Sequence, residues 1–447
     1  MKIRSVGAHQ IYDSRGNPTI EAEIELENGV RGRGLVPSGA STGQFEAIEL
    51  RDADPRRWRG KSVLKAIENI HREIAPAIVG RPAGSQRELD DALIALDGTP
   101  GKRRLGANAI LAVSMAAADA AAKAAGIALF EHLGGSQGNT LPLPQIQIVG
   151  GGAHAAGRLD VQDYMVIATG AKSYAEALEM TFNIFHAAGD LLRERGLLRG
   201  CADEGGYWPE FETNEEPMAL LVEAIGRSGY TPGREASLAL DIAASELFCE
   251  ATKRYALPRE GRDFSSGEFA DLIASWCGRF PIVSIEDPMA DTDWDGWRRV
   301  AGELGPGLQL VGDDLFTTNL SRIEEGFARG AANAVLIKPN QIGTVSETLD
   351  AIRLTQKMGW KPIVSARSGE TEDAFIAHLA VATNAGQLKV GSLARGERTA
   401  KWNEVLRIAR ILGPQAKFST GKTLFPRDRP SVNPPDKAAD LGACDRA

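Results

Sequence analysis

Beyond residue 138 the sequence falls into eight short apolar runs separated by longer helical stretches, and this alternation most limits the folds open to the chain. The runs are 146–149, 164–168, 238–242, 282–286, 308–313, 335–338, 363–365 and 388–390. Strands alternating with helices make an α/β protein, and eight of them over about 290 residues match a (β/α)8, TIM-type barrel in length and count. A doubly wound sheet is the structural alternative.

The first third has a different texture. Within residues 3–36, apolar Ile20, Ala22, Ile24 and Leu26 alternate with glutamates, which predicts a strand pair turned at Asn28-Gly29. Helical patterns follow over 63–78 and 85–96 and in the alanine-rich stretch 107–130. Residues 1–137 thus read as an N-terminal α+β domain, 138–425 as the barrel, and the polar, proline-rich residues 426–447 as a disordered tail. The stretch 107–130 carries Asp119 and Lys123, so it predicts a buried helix, with no membrane partner.

Composition excludes several functions. With 51 basic and 59 acidic side chains the net charge is −8, and no run of like charges offers a field for nucleic acid. Cys201, Cys249, Cys277 and Cys444 show no regular spacing, and the amino terminus lacks the apolar core of a secretion signal, so a reduced, cytoplasmic location is expected. Glycine is the outlier at 49 of 447 residues, about 11% against a usual ~7%. Much of it lies in loops such as GASTG, GGGAHAAG and DEGG.

Six of the eight runs end in, or lead into, a charged residue: Asp241, Glu286, Asp313, Lys338, Arg367 and Lys389, spaced 22 to 45 residues apart. In a barrel these positions converge on the mouth where such folds place their chemistry. Three carboxylates from consecutive strands, with no histidine or cysteine beside them, form an oxygen site suited to Mg²⁺ or Mn²⁺. The three cations that follow suit a small polyanion, and a lysine desolvated near metal and other cations can have its pKa lowered enough to act as a base. Alone, each residue reads as a loop cap or ion pair; the order of types argues otherwise. Glu204 stands in a glycine-flanked loop, and His154 is either a satisfied loop histidine or a site residue. The segment 37–47, PSGASTGQFEA, reads as a surface turn or as a mobile lid whose Ser41 can reach a metal or phosphate, and sequence alone favours the turn.

Taken together, DSRGNPT (13–19), VPSGASTG (36–43), LGANAILAVSMA (105–116), DEGG (203–206), SIEDP (284–288), VGDDL (311–315), IKPNQIGT (337–344), RSGETED (367–373) and ATNAGQ (382–387) resemble the enolases, phosphopyruvate hydratases, in order along nearly the whole chain. The resemblance implies a capping domain with an active-site lid, and a barrel whose first two strands form an antiparallel hairpin. It implies a hydro-lyase that reversibly dehydrates 2-phosphoglycerate to phosphoenolpyruvate, in glycolysis, through a Mg-stabilised enolate. Two Mg²⁺ ions are implied, one held by Asp241, Glu286 and Asp313, the other by Ser41 with the substrate phosphate. Lys338 is implied as the base at C2 and Glu204 as the acid at the C3 hydroxyl, with Asp163 assisting it. Arg367 and Ser368 become the phosphate clamp, Lys389 a carboxylate contact, and His154 and Gln162 further pocket positions. A homodimer or homo-octamer is implied by the same analogy.

Four positions depart from the family pattern, all in or beside the pocket. Ala366 replaces a histidine, Asp163 a glutamate, Gly150 an asparagine and Gly396 a serine. They leave open a diverged dehydratase or synthase on a related phospho- or phosphono-acid, resembling the carboxyphosphonoenolpyruvate synthases, and a non-catalytic, protein-binding homologue. Retention of the carboxylates, Lys338, Glu204 and Lys389 speaks against the latter.

Overall fold

The computed structural model describes residues 1–40 and 42–425. The predicted tail, 426–447, and Ser41 lie outside the described residues. The chain opens with three antiparallel strands, β1 (Ile3–Tyr12), β2 (Pro18–Leu26) and β3 (Arg31–Leu35), in that order across the sheet. The alternating pattern forecasts one pair where there are two. The additional turn is DSRGN, where the Asp13 carboxylate accepts the backbone N–H of Arg15 (2.9 Å) and Asn17 (2.8 Å) and Gly16 takes φ +72°. Ile20, Ala22, Ile24 and Leu26 are buried on the inner face.

Against that face lies the helix Ala107–Ala125, buried along almost its whole length. Its alanines allow it to approach closely, and Gly32 and Gly34 make the approach possible: a β-carbon on Gly32 would stand 2.1 Å from the Ala120 nitrogen. The expected buried helix is therefore found, and no single helix among the described residues is long and apolar enough to cross a membrane.

Eight strands close the barrel: β4 (Leu143–Gly150), β5 (Asp163–Ile167), β6 (Ser237–Asp241), β7 (Ile282–Glu286), β8 (Gln309–Gly312), β9 (Ala334–Ile337), β10 (Lys361–Ser365) and β11 (Gln387–Gly391). Nearly every strand residue is buried, as expected where helices cover the outside of a sheet curled around a packed interior. Helices Trp294–Leu304, Leu320–Arg329, Val345–Lys357 and Phe375–Ala382 each follow one strand. The exception is β5, antiparallel to both neighbours, with two helices, Tyr174–Glu194 and Glu216–Arg227, before β6. Its start, not its end, therefore faces the mouth, which pairs Asp163 with Asp241 across the ladder.

The amino-terminal region is fixed to the barrel beside that mouth. Ser114 Oγ accepts the Val345 N–H (3.0 Å) and Asp90 the Ser346 N–H (2.8 Å), so side chains from one region satisfy the open amides at a helix start in the other.

Candidate active site

The strand ends deliver the six charged residues to one place, as their spacing predicts. Lys389, inside β11, points its ammonium into the notch between β6 and β7. Its Nζ donates to Asp241 Oδ2 (2.9 Å) and to both Glu286 oxygens (2.9 and 2.8 Å), and lies 3.4 Å from Asp163 Oδ2. Lys338, just after β9, donates to Asp313 Oδ2, whose other oxygen accepts from Gln341 Nε2 (2.9 Å). All of these groups are buried.

Burial sets the electrostatics. It pushes the Glu286 carboxyl well above the usual range, and the neighbouring Asp241 pushes it the same way. Burial also raises Asp313, but Lys338 overrides it and holds the group below its ordinary value. Desolvation pulls both lysines down, yet contact with Asp313 leaves Lys338 above normal, and Asp241 with Glu286 leaves Lys389 well above. The expected lowering is for a lysine beside a metal ion and other cations; paired with Asp313, Lys338 stands above its ordinary value. A base there requires that Asp313 be engaged elsewhere.

On the other wall, His154 stands between two carboxylates, with Nδ1 3.1 Å from Asp163 Oδ1 and Nε2 3.9 Å from Glu204 Oε1. Burial favours its neutral form, but Asp163 and Glu204 outweigh it and raise the imidazole above its normal value. Asp163 is lowered in spite of complete burial, by His154 and Lys389, and takes a further hydrogen bond from Gln147 (2.5 Å). The histidine thus lines the cleft and stands between Asp163 and Glu204. Gln162 donates to Asp241 Oδ2 (3.1 Å). Arg395 holds the loop that carries Glu204 through the carbonyls of Ala202 (3.3 Å) and Asp203 (3.1 Å).

Arg367 and Ser368 follow β10. Arg367 is 4% exposed and ion-paired with Glu46 through Nη1 to Oε2 (3.0 Å) and Nη2 to Oε1 (3.1 Å). Ser368 Oγ accepts the Ala40 N–H (2.7 Å). The segment 37–47 is accordingly no simple surface turn: Ser38 and Gly369 exchange backbone hydrogen bonds of 2.8 and 2.9 Å. A side chain on Gly369 would strike Asp13 and Ser38, which fixes glycine there.

These walls enclose a cleft of about 280 Å³ lined by Gly39, Ala40, His154, Gln162, Glu204, Asp241, Lys338, Ala366, Arg367, Ser368 and Lys389, among others. One of the four departures is explained by packing around it. A β-carbon on Gly150 would lie 2.5 Å from the Ala202 methyl, so that methyl excludes any side chain at 150. Ala366 lines the cleft next to Arg367. Nothing in the structure explains Gly396.

Several site residues carried no clear signal in the sequence. Glu46 from a loop, Asn340 and Gln341 from the short helix Pro339–Ile342, and Gln147 from inside β4 hold the charged groups. Asp287, the second acid of SIEDP, accepts the N–H of Asp313 (2.9 Å) and Asp314 (2.8 Å) and so fixes the turn after β8; the acidic doublets were the only available hint. Among the described residues, two groupings of potential ligands come within 4.8 Å: His154, Asp163 and Glu204, and Asp287, Asp313 and Asp314. Asp241 and Glu286 are instead bridged by the Lys389 ammonium.

Residues 3–133 match the family model of the enolase N-terminal domain, and residues 138–426 that of the enolase C-terminal TIM barrel domain. The chain belongs to the enolase family. Enolase 1 of Desulfitobacterium hafniense (strain Y51) is 51% identical over 418 residues, covering 93% of this chain and 95% of that one. The protein is accordingly a hydro-lyase of the phosphopyruvate hydratase type. A divalent metal ion and a small phosphorylated substrate come with the enolase assignment, and the acidic groupings are consistent with the metal ion.

Proposed function

We propose that this enolase catalyses the reversible dehydration of 2-phosphoglycerate to phosphoenolpyruvate with Mg²⁺, and that residues 1–137 and 138–425 act as its capping and barrel domains. The observation that carries the reading is the placing of Lys338 and Glu204 on one small cleft, with cations at its phosphate end. Lys338 takes the C2 proton, and Glu204 gives a proton to the departing C3 hydroxyl. Arg367 and Ser368 hold the phosphate, Lys389 the carboxylate side, and His154 and Gln162 complete the pocket. Asp163 acts on Glu204 through His154, orienting the imidazole and keeping its charge.

The donor set fits a hard divalent cation. Asp241, Glu286 and Asp313 are buried together, Glu286 is driven toward protonation by Asp241, and a cation, the Lys389 ammonium, already occupies the notch between two of them. These three would hold one Mg²⁺; Ser41, outside the described residues, would hold a second on the strength of the resemblance alone. Bound there, the ions supply positive charge where electron density collects on the substrate carboxylate. Engaging Asp313 would also free Lys338 from its counter-charge and allow it to work as a base. A cytoplasmic, glycolytic role and a homodimer or homo-octamer complete the proposal.

Purified protein with Mg²⁺ should convert 2-phosphoglycerate to phosphoenolpyruvate, followed by the absorbance of the new enol double bond. Background turnover by protein shown to bind Mg²⁺ would refute the reading. One observation favours a second: Ala366 leaves room for a larger phospho or phosphono end beside Arg367. Mass-spectrometric screening of phospho- and phosphono-acids for loss of water separates the two. Under the second reading Ala366→His impairs the native substrate; if it only raises 2-phosphoglycerate turnover, the enlarged-pocket idea fails.

A further inference from the structure

Of the bonds that tie the segment 37–47 to the barrel, three sets land on consecutive residues, 367 to 369. Ser38 bonds the backbone of Gly369, Ala40 the side chain of Ser368, and Glu46 the guanidinium of Arg367. The Glu46 carboxylate is shared further: Oε1 also accepts from Gly43 N (3.1 Å) and from Gln341 Nε2 (3.4 Å), and Gln341 in turn donates to Asp313. One carboxylate thus connects the segment, the arginine and a carboxylate at the strand ends, across 321 residues of sequence.

A forked guanidinium–carboxylate pair fixes the plane of the guanidinium as well as its position. Asn340 Oδ1, accepting from Arg367 Nη1 (3.1 Å), is neutral and meets only one edge. The carboxylates of Asp313 and Asp314 also act on Arg367. Without Glu46 the guanidinium loses the forked carboxylate that fixes its plane.

We infer that Glu46 is a positioning residue for phosphate recognition: it holds Arg367 in the orientation that accepts the substrate phosphate and makes that orientation depend on the segment 37–47 being seated. The inference rests on the reading of Arg367 as the phosphate clamp. It assigns Glu46 no contact with the reacting atoms, so its effect belongs in binding and not in the chemical step.

The test compares wild type with Glu46→Gln and Glu46→Asp, using full-length protein, 2-phosphoglycerate kinetics, and inorganic phosphate as a second probe by calorimetry and competitive inhibition. Glu46→Gln should raise both KM and the dissociation constant for inorganic phosphate about tenfold, the scale of one charge-assisted hydrogen bond, with kcat within about threefold. Glu46→Asp keeps the charge on a shorter arm and should fall between wild type and Gln on both measures. Unchanged KM and phosphate affinity in folded Glu46→Gln would overturn the inference, as would a loss confined to kcat. Should Glu46→Gln fail to fold, Glu46→Asp indistinguishable from wild type on both probes would overturn it instead. Absence of 2-phosphoglycerate turnover in wild type would refute the proposed function, not this coupling, which the phosphate measurement reads separately.

Discussion

Two layers of the barrel interior, built from the same strands, have opposite characters. In the lower layer Gln387 donates to Gln309 (2.8 Å) and accepts from Gln309 and Gln145 (3.0 Å each), while Gln309 also donates to Ser284 (2.9 Å). Two residues along the same strand faces the chain places Lys389 above Gln387 and Glu286 above Ser284. The amide layer satisfies its hydrogen bonds internally and needs nothing from outside. The charged layer does not balance itself: burial and like charges drive Glu286 and Asp314 toward protonation, the latter up to about 8. A layer that resolves its own polarity is structural, whereas one left in electrostatic tension is ready for an ion and a charged substrate.

The sharpest way to break this contrast is to remove the proton carrier that the loop 203–206 brings to the cleft beside the upper layer. Glu204→Gln should lower turnover by about 10³-fold, the usual scale for losing a general acid, yet retain exchange of the C2 hydrogen with solvent. Loss of both would show that Glu204 is not confined to the hydroxyl end. Next in size, Glu286→Gln should weaken Mg²⁺ binding by about 100-fold in calorimetry, since a carboxylate ligand becomes a neutral one; unchanged affinity would exclude it from the metal site. In the lower layer, Gln387→Leu should cost about 2–3 kcal/mol in chemical denaturation by stranding the amides of Gln145 and Gln309, with Mg²⁺ affinity unchanged. A fall in Mg²⁺ affinity there would mean that the two layers are not separable.

The smallest effect comes from a half-buried charge away from both layers. Asp373 lies between the amino-terminal region and the barrel, and burial pushes its carboxyl up to about 6, against the hydrogen bond from Phe375 and the charge of Lys401. Because the folded value exceeds the unfolded one, its contribution to stability is fully present below pH ~4 and is lost as pH rises through 6. Asp373→Asn should remove that slope, leaving the variant more stable than wild type at pH 7 by about 2 kcal/mol and no more stable at pH 4. Parallel stability curves between pH 4 and 7 would contradict it.

What could be read from sequence divides along the same physical lines. Side chains at the C-terminal ends of parallel strands announce themselves by spacing, so Asp241, Glu286, Asp313, Lys338, Arg367 and Lys389 were legible together, and the barrel with them. Asp163 and Gln162 were reached only through the family resemblance, because β5 runs against its neighbours and presents its beginning to the mouth. Glu46 was missed because its meaning lies in a partner 321 residues away, and a turn-rich segment carries no periodicity to disclose it. The second turn at Asp13 was hidden by continuous alternation on either side. Charge states were the least legible: desolvation and neighbouring cations suggest a lowered Lys338, and the contact with Asp313, which spacing does not disclose, acts in the opposite sense.

The central claim is that Lys338 is the base at the end of β9. Its direct test is solvent-deuterium exchange at C2 of 2-phosphoglycerate, followed by NMR with Mg²⁺ present, in wild type and in Lys338→Ala. The account predicts exchange in wild type and none above background in the variant; exchange surviving in folded, Mg²⁺-binding Lys338→Ala would contradict it.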